Sequence, residues 1–217
     1  MSLKELIVRK YDEELKSLKV AVREKEKSLE NVKGKLKQFS DLEGRYTYLV
    51  EQNDGFRVLL HKNNDKVLFF SSNGRDITPL FENRKGAHRD LVEQAKELSD
   101  KRLILDCVVI DKGDKEFCFY VSDVLLFDES IRHLPLTERK KIIKKLSFSD
   151  DFKECPSVKV ESVSDLEASI SLFEKLGTDS ILAKRRNSGY VLGGSDDWIS
   201  FEGGKIGEKG NNFEKSG

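Results

Sequence analysis

From Val8 the apolar residues return at alternating three- and four-residue steps: Val8, Tyr11, Leu15, Leu18, Val22, Leu29, Val32, Leu36 and Phe39, with Lys25 alone interrupting. That rhythm is a heptad seam. Mostly Lys, Glu, Arg and Asp lie between the seam positions, as expected of helix faces left in water. The pattern predicts one long helix over residues 1–40, roughly 45 Å from Val8 to Phe39 and longer than a small domain can cover. Such a helix either lies along its own domain or pairs in a coiled coil with a second copy or another chain. A strict heptad over more than four repeats favours the coiled coil, and hence self-association or a partner protein through residues 8–39. Lys25 at a seam position fits a device that fixes register or partner. Gly34 would weaken the helix near its end by ~1 kcal/mol. Lys33, Lys35 and Lys37 form a basic run that could touch phosphate, although such runs are more often a solvated face.

Beyond a turn-rich hinge at Ser40–Gly44 the period changes. Tyr46–Val50, Val58–Leu60 and Lys66–Phe70 read as three strands of an antiparallel meander. Arg89–Leu98 reads as a helix with Leu91, Val92, Ala95 and Leu98 on one face, and Leu103–Ile110 as a buried strand. Phe117–Asp128 is a further apolar run. Pro135 and Thr137 signal a helix start before Leu136, Ile142, Ile143 and Leu146. Ser164–Leu176 is a second amphipathic helix with Ser164 as its expected cap and Gly177 as its stop. Residues 41–202 therefore form one α+β domain, and the Gly-, Lys- and Asn-rich residues 203–217 are expected as a flexible tail.

Composition narrows the function classes. The chain of 217 residues is 36% charged and 37% hydrophobic with a formal net charge of +0. No global field draws it to nucleic acid, so any such binding needs a local patch. Cys107, Cys118 and Cys155 are too few and too irregular for a disulfide framework or a zinc site. His133 stands alone and is read as structural or exposed. No run approaches the ~20 apolar residues that cross a bilayer, and no signal-peptide core opens the chain, so a cytoplasmic protein is expected.

The stretch Glu51-Gln52-Asn53-Asp54-Gly55-Phe56-Arg57 resembles the opening motif of ATP-dependent DNA ligases and related covalent nucleotidyltransferases. In that motif a lysine, a variable residue, Asp and Gly precede an Arg. Asp54, Gly55 and Arg57 match, but Gln52 stands where the lysine nucleophile would be. Ser71-Ser72-Asn73-Gly74 resembles a family segment in which an Arg occupies the place of Ser72. Asp106 matches the first residue of a family Asp-Gly-Glu, with Cys107 and Val108 in place of Gly and Glu. Ser122 occupies the position of an aromatic that stacks on adenine. Pro135-Leu136-Thr137-Glu138-Arg139 agrees with a family Pro-Leu-x-x-Arg. Asp179 replaces a metal-site Glu, Ser180 a Gly, and Ala183-Lys184-Arg185 agree. Tyr190, Gly193 and Trp198 continue the likeness, while Ser200 and Glu202 replace two lysines that would grip phosphate.

The resemblance implies a DNA-ligase-like nucleotidyltransferase domain of twisted antiparallel sheets with flanking helices, behind the N-terminal helix. No OB-fold domain is expected after it. The substitutions share one direction. Gln52, Ser72, Val108, Ser122, Ser200 and Glu202 replace nucleophile, cation, acid, aromatic, cation and cation. The amide nitrogen of Gln52 has its lone pair delocalised into the carbonyl and does not attack phosphorus. The expected protein is a non-catalytic binding or scaffolding module in nucleic-acid metabolism such as DNA repair, with no cofactor; ATP and magnesium would enter only if the site were still active. Two alternatives remain open. One is a nucleotide or nucleic-acid sensor using Arg57, Lys184, Arg185 and Arg186. The other is a divergent polynucleotide ligase whose nucleophile is a nearby Lys62, Lys66 or Lys184.

Overall fold

The computed structural model describes residues 34–35, 47–81, 90–113, 116–178, 180–191 and 195–202. Apart from Gly34 and Lys35, which are helical, the expected N-terminal helix and its coiled coil lie outside the described residues. So do the hinge, Asp179, Gly193 and the tail 203–217.

In chain order the strands are β1 (Tyr48–Gln52), β2 (Phe56–Asn63), β3 (Lys66–Ser71), β4 (Leu103–Gly113), β5 (Glu116–Phe127), β6 (Glu129–Ser130), β7 (Phe152–Glu154), β8 (Ser157–Val160), β9 (Ser180–Arg185) and β10 (Trp198–Glu202). The helices are α1 (Leu91–Glu97), α2 (Leu136–Ile143) and α3 (Val163–Lys175). They build two sheets, one in the order β10-β9-β1-β8 and one in the order β3-β2-β4-β5-β6 with β7 beside β5.

This topology corrects the meander. β2 and β3 pair as a hairpin, but β1 pairs with β8 and β9 and never with β2. The chain leaves the four-stranded sheet at Gln52 and enters the six-stranded one at Phe56, so the motif around Gly55 is the crossover between sheets. Hydrophobic alternation within each strand was legible, but which strands pair is fixed by contacts distant in sequence. A second correction concerns direction. β5 and β7 run parallel, Phe119 opposite Phe152, so the larger sheet is mixed rather than wholly antiparallel.

Each sheet buries one face. On the larger sheet Val58, Leu60, Leu105, Cys107, Val109, Phe119 and Val121 pack with Phe81, Leu91, Ala95, Leu98 and Phe152. On the smaller one Tyr48, Val50, Ile181, Ala183, Ile199 and Phe201 pack with Leu166 and Phe173 of α3. Because side chains alternate along a strand, the residues between these core positions point to the other face. The second faces of the two sheets meet, and the candidate site lies there.

The helix ends obey local chemistry. Asp90 caps α1 by accepting from the Val92 amide, 2.8 Å away. The cap of α3 lies two residues before the expected Ser164: it is Ser162, with its hydroxyl accepting from the Asp165 amide and the Asp165 carboxylate accepting from the Ser162 amide. This reciprocal pair satisfies two otherwise orphaned donors. Gly177 ends α3 with φ +80°, as expected.

Candidate functional site

Gly55 makes the crossover possible. Its φ of +103° suits glycine alone, and a Cβ at this position would lie 2.2 Å from the carbonyl oxygen of Val109. Asn53 ties the crossover to β9 through its amide, which donates to the Ser180 carbonyl at 2.8 Å. Asp54 is half-buried between them.

At the floor of the inter-sheet space Glu51 is 1% exposed. Its Oε2 lies 2.9 Å from the Nζ of Lys184 and accepts from Ser122 Oγ at 2.7 Å, while Oε1 is ion-paired with Lys140 of α2. Lys184 also donates to Ser122. Burial works to raise the pKa of Glu51, but the charges of Lys140 and Lys184, with hydrogen bonds from Lys140 and Ser122, outweigh it and bring the carboxyl down to about 2. For Lys140, burial opposes the charge and Glu51 more than restores it, so its pKa is raised. A protonated, ion-paired ammonium has no lone pair for attack.

One layer outward, Asp106 of β4 receives a two-pronged grip from Arg57 of β2, with Nε to Oδ1 at 2.9 Å and Nη2 to Oδ2. The Tyr190 hydroxyl donates to Asp106 Oδ2 at 2.9 Å. Burial raises the Tyr190 pKa, Asp106 adds to the rise, and Arg57 offsets part of it. The Arg57 guanidinium and the Lys184 ammonium each lie 4.9 Å from the centre of the Trp198 ring. Cations held over an indole in this way bind its negative face. Beneath these, Arg139 grips Asp123 with Nε to Oδ1 at 2.7 Å and Nη2 to Oδ2 at 2.9 Å, both side chains 0% exposed. The Pro-Leu-x-x-Arg segment therefore holds the fold through its arginine.

The sequence-derived residues converge unevenly. Arg57, Asp106, Val108, Ser122, Lys184, Trp198 and Ser200 lie on the facing sides of the two sheets, and Val108 is 4% exposed beside Arg57 in the strand register. Gln52 ends β1. Its side-chain amide nitrogen is buried, and its backbone carbonyl accepts from the Cys155 thiol at 3.8 Å. Ser72 sits exposed on the turn after β3 and joins no described contact of the cluster. Glu202 pairs with Ser180 through the β10–β9 backbone.

Two participants escaped sequence reasoning. Glu51 enters the sequence reading only as part of the motif, and Lys140 does not enter it. The signal for Lys140 was present: Leu136, Lys140 and Ile143 recur at helical spacing, which puts a lysine on the buried stripe. Nothing local marks Glu51, because its partners come from β5, β9 and α2.

No group of three or more His, Cys, Asp or Glu suited to a metal ion occurs among the described residues. Cys155, next to Gln52, offers no substitute nucleophile, since burial first and Glu51 next push its thiol up to about 12. Among the described residues no helix is long and apolar enough to cross a membrane.

Two sheets joined at a glycine crossover, with the facing sides carrying the motif positions, define a nucleotidyltransferase-type α+β fold. Residues 27–117 match the ATP dependent DNA ligase domain family. Among solved structures the chain is similar to the ligase domain of LigD from M. tuberculosis, with TM-score 0.60 and 19% identity over 74% of this chain and 55% of that one. It is also similar to mycobacterial DNA ligase D complexed with ATP and MES, with TM-score 0.58 and 21% identity over 75% of this chain and 56% of that one. A Lig E DNA ligase structure, described as DNA binding with a minimal scaffold, gives TM-score 0.53 and 12% identity, covering 76% of this chain and 65% of that one. No curated protein matches the chain in sequence. The fold is thus that of the ligase domains it resembles, and the chain spans little more than half the length of the two mycobacterial structures.

Proposed function

We propose that this domain is a non-catalytic binding or scaffolding module, descended from a ligase adenylation domain, that self-associates through residues 8–39. The observation that carries the reading is the state of the inter-sheet space. Its one retained lysine, Lys184, is committed to Glu51, Ser122 and Trp198, and the retained Arg57 is committed to Asp106. ATP with a divalent cation does not fit these residues. Val108 has no oxygen for a metal, Ser122 no ring for a base, and Ser200 no charge for a phosphate. Losing even one electrostatic group of this kind commonly costs ~10²–10³ in rate.

The alternatives draw less support. Lys62, a candidate displaced nucleophile, points its ammonium at the Lys101 carbonyl, 3.2 Å away, beneath the larger sheet. A sensor built on Arg57, Lys184, Arg185 and Arg186 would use three side chains already engaged, since Arg185 also pairs with Asp197 at 3.0 Å. A cytoplasmic setting and a role in nucleic-acid metabolism belong to the same proposal.

Incubation with labelled ATP and magnesium, followed by a denaturing gel, is expected to show no labelled protein; a labelled band overturns the reading. Light scattering is expected to give a dimer, and a monomer with residues 1–40 intact contradicts the self-association.

A further inference from the structure

β8 is an end strand of the smaller sheet among the described residues, with β1 on one side and no strand on the other. An end strand carries a row of backbone N–H and C=O groups without ladder partners, which is a template for pairing. α3 lies over it and packs Leu166 and Phe173 into the core. Two large apolar side chains of the same helix stay outside that core: Leu172 is 46% exposed and Leu176 69%. They lie one turn apart and form a single apolar ridge.

The hand of the β8–α3–β9 connection fixes where that ridge points. β8 and β9 both run antiparallel to β1, so they are parallel to each other, and α3 joins them. Such a connection is right-handed almost without exception. Around the α3 axis, at about 100° per residue, Val163 and Ile170 fall on one flank of the buried stripe and Leu172 and Leu176 on the other. In a right-handed crossover the first flank faces β9, and Val163 and Ile170 do pack into the core of that sheet. The second flank overhangs the open side of β8. An unpaired strand edge and an unpaired apolar ridge therefore lie side by side.

We propose that the β8 edge and the α3 ridge form an interface with a second copy of this chain. Two β8 strands pair antiparallel about a twofold axis, and Leu172 and Leu176 close on their copies above the joint. A second copy fits because a twofold contact is self-complementary, bringing edge to edge and ridge to ridge. Charge agrees with it. A lysine such as Lys159 ordinarily keeps an edge strand unpaired. Here Lys159 and Glu161 are two residues apart and pair with each other at 2.6 Å. In a pairing centred on Val160 each Lys159 lies opposite the Glu161 of the other copy, a favourable cross-strand pair. This interface goes beyond the self-association through residues 8–39 and does not need those residues.

The test is sedimentation and backbone hydrogen exchange on the full chain across a concentration series, in a Leu15→Asp/Leu18→Asp background that breaks the heptad seam. Association is expected to persist there, and exchange over residues 157–160 to slow as concentration rises. Adding Leu172→Asp/Leu176→Asp, at positions already exposed in the single chain, should weaken association about tenfold or more, as expected for lost burial of leucine side chains. It should also release residues 157–160, whereas Glu167→Ala on the opposite flank should change neither reading. Lys159→Glu should weaken association, and Lys159→Glu/Glu161→Lys should restore it. A monomer at every concentration in the seam-broken background overturns the interface and leaves self-association through residues 8–39 standing. Association that the leucine substitutions leave intact also overturns it. Protection of 157–160 that is independent of concentration and present only with the seam intact assigns the edge to the chain's own N-terminal segment, against the proposal. None of these results bears on covalent labelling by ATP, which tests the non-catalytic reading separately.

Discussion

The carboxylate of Glu51 and the ammonium of Lys184 face each other diagonally across the β1–β9 ladder, 2.9 Å apart. Lys140 closes the same carboxylate from α2, so one acid holds two buried lysines and joins the two sheets to a helix. Removing one member of a buried ion pair strands the remaining charge, at a cost of roughly 3–5 kcal/mol. Glu51→Ala is therefore expected to lower unfolding stability by about that amount in chemical denaturation. A change below about 1 kcal/mol would mean that the cluster is not a structural linchpin.

The same cluster sets an acid limit. Glu51 has its folded pKa depressed from 4.5 to about 2. A depressed folded pKa gives stability that is present above the unfolded value and lost as pH falls through the folded one. The difference corresponds to about 3 kcal/mol, fully present above about pH 5 and lost progressively towards pH 2. Denaturation midpoints measured across that window should fall for the wild type. In Glu51→Gln the part of the fall due to this carboxyl should vanish, and an identical pH profile in the two proteins would contradict the assignment.

Gly55→Ala tests the crossover. The new methyl meets the Val109 carbonyl at a φ that only glycine adopts easily, so at least about 1–3 kcal/mol of destabilisation is expected. Gly74→Ala also has a positive φ but open space around its Cβ, and should cost less. Equal losses in the two variants would show that close approach to β4 is unimportant.

Tyr190→Phe removes one of three hydrogen bonds to Asp106 while keeping the ring against Trp198. A loss of about 1–3 kcal/mol is expected, because the acceptor is a buried charge. Asp106→Asn should cost more, since it leaves Arg57 without its counter-charge.

Much of this was legible in the sequence, for identifiable reasons. Strands such as Leu103–Ile110 and the stripe Leu91, Ala95, Leu98 follow from alternation and helical spacing, which are local. Arg57, Asp106, Ser122, Lys184 and Ser200 were singled out by likeness to a family, but that likeness did not place them on facing sheets. The pairing of β1 with β8 and β9 did not, because the hydrophobic pattern specifies a face and leaves the neighbour open. Glu51 and Lys140 were missed for a related reason: a buried ion pair is spelled with residues that elsewhere belong to the surface. Ser72 shows the reverse, a family position that here lies on an exposed turn.

Restoring the nucleophile alone should not restore the reaction. In Gln52→Lys the new amine would face a space whose Lys184 and Arg57 are held by Glu51 and Asp106, with Val108, Ser122 and Ser200 still offering no metal ligand, ring or cation. The most direct measurement is intact-protein mass spectrometry of the wild type and of Gln52→Lys after incubation with ATP and magnesium. Unchanged masses for both are predicted. A wild-type mass increased by one AMP, on whatever residue, would contradict the account.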